Sequence, residues 1–343
     1  MQLSADLPAR SSAALTRRRL LAHAATFGVG AALGFRPLSA LAESLSPLDV
    51  AYAGSMGSLM EGPLKSSAAQ TLKLDLHGRA QGSNALAQLI VGGSIRPDVF
   101  ISVTPAPVLT VLRAGKAESA HPIARTEMVI AYSPKSKFAE KFAIAARIAG
   151  SEILGPLPAG IKQDRRPAPA VAWWQLLQEP GLRFGRTDPV TDPQGRNIIF
   201  TLMLAEKLLR RPGLAEKILG PTINPQQIFT EPTVMARLQS GELDAASAYK
   251  IQPGPFNLPY VTLQPEINLS GELVHTDHPE ISLTVNGKTY QPEPLIFYAV
   301  ALNDAPNKSG AATFVEWLTS DEAQAIFRGY NYDPPGSASG LHA

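Results

Sequence analysis

Short apolar runs recur along this chain, and each stops at a glycine, serine or proline. Leu48-Asp49-Val50-Ala51-Tyr52-Ala53 has the pattern of a buried strand and ends at Gly54-Ser55. A helical stretch starts near Met56, with Pro63 as an interruption. From Thr71 to His77, Leu72, Leu74 and Leu76 alternate with polar residues, the period of a half-buried strand. Gly82-Ser83-Asn84 then opens an amphipathic helix over Ala85–Val91. Asp98 to Ser102 is a short strand held between Pro97 and Pro105. Strand alternating with helix at this spacing predicts an α/β sheet with parallel pairing.

The later pattern continues the theme. Met128–Tyr132 predicts another buried strand, and about 150–170 is proline-rich and aperiodic, a loop. Trp173–Gln178 is helical and Leu182–Arg186 a strand. A long helix is predicted from about Arg196 to Arg210 and another from Pro232 to Gln239. Leu295–Leu302 is an apolar strand. Ala311–Phe327 reads as one amphipathic helix, and a polar, loose tail follows over 331–343.

The N-terminus has a different character. Arg17-Arg18-Arg19 precedes a weakly apolar run to about Leu38, and Ala40-Leu41-Ala42 follows as an A-x-A cut site. These are the parts of a cleaved secretory signal over 1–42, and the arginines before Leu20-Leu21 give it a twin-arginine character. The run is too weakly apolar for a membrane span, which needs about 20 strongly apolar residues. The whole chain carries 31 basic and 29 acidic residues; removing 1–42 takes five arginines and one aspartate and leaves 26 against 28, a net charge of −2. That balance excludes bulk electrostatic binding to nucleic acid. The absence of cysteine excludes disulfides, thiolate metal sites and cysteine nucleophiles.

Gly54-Ser55 and Gly82-Ser83 stand where an apolar strand gives way to a helix. Free backbone N–H groups and a serine hydroxyl at such ends can hold an anion without lysine or arginine. The alternative is that both serines are ordinary N-caps. Asp192-Pro193-Gln194-Gly195 precedes the long helix, and Asp192 taken alone reads as a plain N-cap or turn former. Tyr249 is either a ligand donor or a core tyrosine with a satisfied hydroxyl. His77, His121, His275 and His278 are the histidines to weigh as metal ligands, but their context predicts no metal site. No common catalytic motif is present, and an enzyme would need a base such as His77 beside Ser55 or Ser83.

Taken in order, these segments resemble the periplasmic solute-binding proteins of molybdate/tungstate ABC transporters. The resemblance is carried by Val50–Ser55, Gly82-Ser83, Arg96–Ser102, Thr126–Ser133, Asp192-Pro193-Gln194-Gly195, Gly241–Ala245 with Tyr249, Leu263–Leu269 and Ala305–Lys308. It implies a two-lobe α/β periplasmic-binding-protein fold (type II), each lobe a mostly parallel sheet flanked by helices. The lobes would be 47–128 with 259–330, and 129–258, joined by two hinge crossings. It implies capture of a small oxyanion, molybdate or tungstate, by Gly54, Ser55, Gly82, Ser83, Asp192, Gly195 and Tyr249. Asp192 is also a candidate ligand to the oxyanion's metal centre. One branch of the family adds a second carboxylate, which here falls on Ala248. The implied protein is a periplasmic monomer with no cofactor, and its partners are the anion and an inner-membrane permease. Sulfate, a ferric complex or an organic anion is the alternative ligand, and an exported enzyme on the same fold the alternative class.

Overall fold

The computed structural model describes residues 44–148 and 171–343. The signal segment and the proline-rich stretch lie outside the described residues. The strands are β1 (Ser46–Ala53), β2 (Leu74–Gln81), β3 (Val99–Ser102), β4 (Ser119–Arg125), β5 (Met128–Tyr132) and β6 (Phe184–Gly185), then β7 (Ala245–Tyr249), β8 (Tyr260–Thr262), β9 (Leu283–Val285), β10 (Lys288–Tyr290), β11 (Ile296–Ala301) and β12 (Leu341–His342). They form a six-stranded sheet in the order β12-β4-β11-β3-β1-β2, a four-stranded sheet in the order β6-β7-β5-β8, and the hairpin β9–β10.

Most strands in each sheet point one way, yet most hydrogen-bonded neighbours are antiparallel. β1 pairs in parallel with β2 and β3, as strands joined through crossover helices do. β11 then inserts between β3 and β4 and runs against both. In the second sheet β5 runs against β7 and β8, and only β6 and β7 pair in parallel. The sheets are therefore mixed rather than built of mostly parallel pairs. A strand that enters a sheet from the hinge runs opposite to strands laid down by crossover helices.

Three boundaries differ from the sequence expectation. β8 pairs with β5, so Tyr260–Thr262 belongs to the second sheet and not with the first lobe. The segment after 331 is not loose: β12 pairs with β4, Tyr332 is buried against Phe297 and Phe327, and Asp333 bridges to Arg125. Ala311–Phe327 is two helices, Lys308–Trp317 and Asp321–Gly329, because the Ser320 hydroxyl accepts from the Ala323 N–H and restarts the chain.

Several of the recognisable segments prove to be scaffolding. The Asp98 carboxylate is buried and accepts from the Asp49 and Asn307 N–H groups at 2.8 and 2.6 Å, tying β1 to the C-terminal helices. Where the chain passes between the sheets, the Met128 N–H donates to the Asn268 carbonyl, and Asn268 Nδ2 donates to Glu127 Oε2 at 2.8 Å. The two connecting strands of backbone are thus bonded to each other. No helix among the described residues is long and apolar enough to cross a membrane.

Candidate functional site

The carboxyl ends of β1 and β2 face loops that lead out of the second sheet. The cavity between them measures about 610 Å³. Gly54, Gln81 and Gly82 line it from the first sheet, and Thr187, Asp188, Thr191, Asp192, Phe229, Thr230 and Glu231 from the second. A smaller chamber of about 180 Å³ adjoins it, lined by Gly54, Ser55, Ser58, Glu231, Ile251 and Gln252 among others. Ligands in open α/β sheets bind at such strand ends.

The crevice is tight because two glycines stand at it. A Cβ on Gly82 would lie 2.9 Å from the Thr191 carbonyl oxygen, and one on Gly54 would lie 2.6 Å from Glu231 Oε2. Both contacts bring an element of one sheet onto the other.

Of the expected residues, Gly54, Ser55, Gly82 and Asp192 line these spaces. Neither serine is an N-cap through its side chain. Gly82 occupies the cap of the helix Ser83–Val91, and Ser83 is buried behind it, its Oγ 3.5 Å from the Val103 N–H that donates to it. Asp192 does cap the helix Pro193–Leu209: Oδ1 accepts from the Gln194 N–H at 2.9 Å. Burial raises its carboxyl above the usual range, opposed by that N–H and by the nearby Arg196 guanidinium. Gly195 packs behind Asp192 against the Thr187–Pro189 backbone. Tyr249 lies behind the cavity lining, buried, its hydroxyl accepting from Asn197 Nδ2 at 3.0 Å. Ala248 is buried in an apolar cluster with Val129, Val234 and Leu238.

The sequence reading missed Glu231 and Arg196. Glu231 opens the helix Glu231–Ser240, which packs over the strand carrying Ala248. Its Oε1 accepts from Gln252 Nε2 at 2.5 Å, and Gln252 Oε1 accepts from Gln194 Nε2 and the Tyr249 N–H at 2.6 and 2.7 Å. Burial, and then the charge of Asp192, push the Glu231 carboxyl up to about 8. Arg196, one turn into the Asp192-capped helix, is buried, donates to the Pro189 carbonyl at 2.8 Å and stacks on Tyr290 at 4.3 Å. A lone glutamate in Thr230-Glu231-Pro232 reads as a first-turn helix residue, so the sequence held no signal for its place.

The Glu231 shift has a consequence for stability. Between the ordinary carboxylate value and about 8, the folded protein keeps a proton that the unfolded chain has lost. Stability should therefore fall as pH rises through that window, by up to about 1.4 kcal/mol per pH unit. Glu231→Gln should flatten this part of a melting-temperature profile; an unchanged slope would show that Glu231 is not the group responsible.

His77 is exposed on β2, its ring nitrogens 3.3 and 3.1 Å from Asp49 and Asp75, and lines neither space. His77 is thus not the base that would stand beside Ser55 or Ser83. His275 lies in the short helix Val274–Asp277, and His278 beside Lys207 and Glu280. Among the described residues no group of three or more metal-ligating side chains converges.

Two mixed sheets joined by paired crossings, with a crevice at their strand ends, define the type II two-lobe class of periplasmic binding proteins. The chain belongs to the bacterial extracellular solute-binding protein family, whose model matches residues 48–333. It is 27% identical over 232 residues to the molybdate/tungstate-binding protein WtpA of Pyrococcus abyssi, covering 61% of this chain and 60% of that protein. The chain thus matches about 60% of the length of that curated relative. An uncharacterized solute-binding protein of Methanococcus aeolicus is 26% identical over 297 residues, 79% of this chain and 78% of that one. The solved periplasmic molybdate-binding protein of Azotobacter vinelandii superposes with a TM-score of 0.51 at 17% identity, over 83% of this chain and 98% of that chain.

Proposed function

We propose that this protein is the solute receptor of an ABC transporter, that it captures molybdate or tungstate between its lobes, and that it hands the anion to an inner-membrane permease. The lobes correspond to the two sheets and close about the paired crossings at Glu127 and Asn268. Residues 1–42 act as the export signal, and the mature chain works in the periplasm.

One observation carries the anion reading. The crevice is lined by glycine backbone, serine and threonine hydroxyls and glutamine, together with the carboxyls of Asp188, Asp192 and Glu231, with no lysine or arginine among the lining residues of either chamber. Neutral donors of this kind hold a fully ionised tetrahedral anion through hydrogen bonds. They select by size and by protonation state, because an anion that keeps an O–H needs an acceptor opposite it. The names of the relatives support molybdate and tungstate within that class.

Thermal unfolding of residues 43–343 with molybdate, tungstate, sulfate and phosphate in turn tests this. A ligand at 100 times its dissociation constant adds about 2.7 kcal/mol, a shift of a few degrees. A shift with molybdate and tungstate but not with sulfate or phosphate is expected. No shift with any of the four would overturn the oxyanion reading.

A further inference from the structure

We propose that Glu231 is a ligand-contacting residue that decides which anions the crevice accepts, and that it does so as the neutral acid, donating a hydrogen bond from its carboxyl to the bound oxyanion. The inference rests on the oxyanion reading above and deepens it.

The placement carries the argument. Glu231 lines both the 610 Å³ cavity and the 180 Å³ chamber, so its side chain stands on the boundary between them. Ser55 lines only the smaller space, and Gly82 and Asp192 only the larger. Glu231 is the one polar side chain that lines both spaces, Gly54 and Pro232 being the other shared residues, so a ligand spanning them has its carboxyl within reach. Oε2 reaches across the crevice to Gly54, while Oε1 is held by Gln252. The oxygen facing the opposite sheet is the one available to a ligand.

Three carboxyls line this cavity, those of Asp188, Asp192 and Glu231; ionised together they would repel a dianion, and no lining cation offsets them. The protonated acid removes one of these charges and supplies a donor. The groups around Glu231 favour the proton. From the helix Pro193–Leu209 comes the Asp192 carboxyl at its cap, and from the preceding loop Asp188, which lines the same cavity. Tyr249 on β7 and Tyr332 in the C-terminal segment are buried phenols held well above their ordinary value, and so neutral. Gln252 is a neutral donor. On the side of β1 and β2 the lining residues carry no titratable group. Burial and Asp192 thus act together to hold the proton on Glu231 near neutral pH.

A neutral acid required for binding couples anion uptake to a proton. Molybdate affinity of the purified protein should be nearly level well below the Glu231 value and should have fallen about tenfold from that plateau by about pH 9, the loss that follows when the competent form is titrated away. Calorimetry at about pH 9 in two buffers of different ionisation heat should show close to one proton taken up per anion. Glu231→Gln, which keeps the shape and a donor without the charge, should bind molybdate with a level profile across this range. A wild-type affinity that is flat from about pH 7 to about pH 9 with no proton uptake would overturn the proposal alone. So would loss of binding in a folded Glu231→Gln protein, because the side chain would then act through its charge. Failure of the wild type to bind molybdate or tungstate at every pH would overturn it together with the function it rests on. The proton count needs no variant and decides the matter if Glu231→Gln does not fold.

Discussion

Gly82→Val should weaken oxyanion binding by at least about 100-fold, roughly 2.7 kcal/mol, while leaving the ligand-free melting temperature nearly unchanged. The backbone at Gly82 has φ −57° and ψ 131°, values open to valine, so the substitution strains nothing locally. The effect comes from across the crevice. A Cβ there would meet the Thr191 carbonyl oxygen at 2.9 Å, and that atom is backbone, unable to step aside like a flexible side chain. The loop carrying Thr191 and Asp192 must then move away from the strand ends of the first sheet. Donors from the two sheets no longer reach one anion together. Isothermal titration of the variant with molybdate, beside its thermal melt, checks both halves. Retained affinity would show that the ligand is held without this approach of the two sheets.

Gly195→Ala should lower the stability of the fold. In an exposed helix the same substitution stabilises by about 1 kcal/mol. Here the added Cβ would lie 2.5 Å from the Thr187 carbonyl oxygen and 2.6 Å from both the Asp188 carbonyl carbon and the Pro189 nitrogen. All three are backbone atoms of the loop that frames Asp192. Overpacking of this kind costs about 1–3 kcal/mol or more, against the helix gain, which means a fall of several degrees in melting temperature. The displaced loop also carries Asp188 and Thr191, so binding should weaken with stability. A melting temperature equal to or above that of the parent would show that the helix start has room to shift.

The two glycines differ in how much of their role the chain reveals. Asp192-Pro193-Gln194-Gly195 announces a helix start by residue type alone, since aspartate caps and proline suits the first turn. The structure agrees, with the Asp192 oxygen on the Gln194 N–H. Gly82 is legible only as the end of a strand. That it must be glycine depends on Thr191, more than a hundred positions away, and no local pattern carries that information.

The same division runs through the site. Local pattern placed Gly54, Ser55, Gly82 and Asp192 at strand ends and a helix cap, and the fold brings these four to one crevice. Tyr249 and Ser83 also stand at strand and helix ends, but the structure turns them inward, to Asn197 and to Val103. A tyrosine after a run of small residues reads the same whether its ring lies in a core or at a ligand. Glu231 is the reverse case: an unremarkable first-turn residue that tertiary packing sets between Gly54, Asp192 and Gln252.

By itself, then, the sequence determined the α/β class, the strand ends and the major helix start. These follow from hydrophobic period, capping chemistry and composition, which act over a few residues. Only the tertiary structure decided that β11 slots between β3 and β4, that Tyr260–Thr262 joins the second sheet, that the C-terminal segment is stitched to β4, and that a second acidic group stands near Asp192 on the same side of the crevice. Each of these depends on which distant segments meet, and the free energy of such meetings resides in long-range pairing and burial that no local stretch of residues encodes.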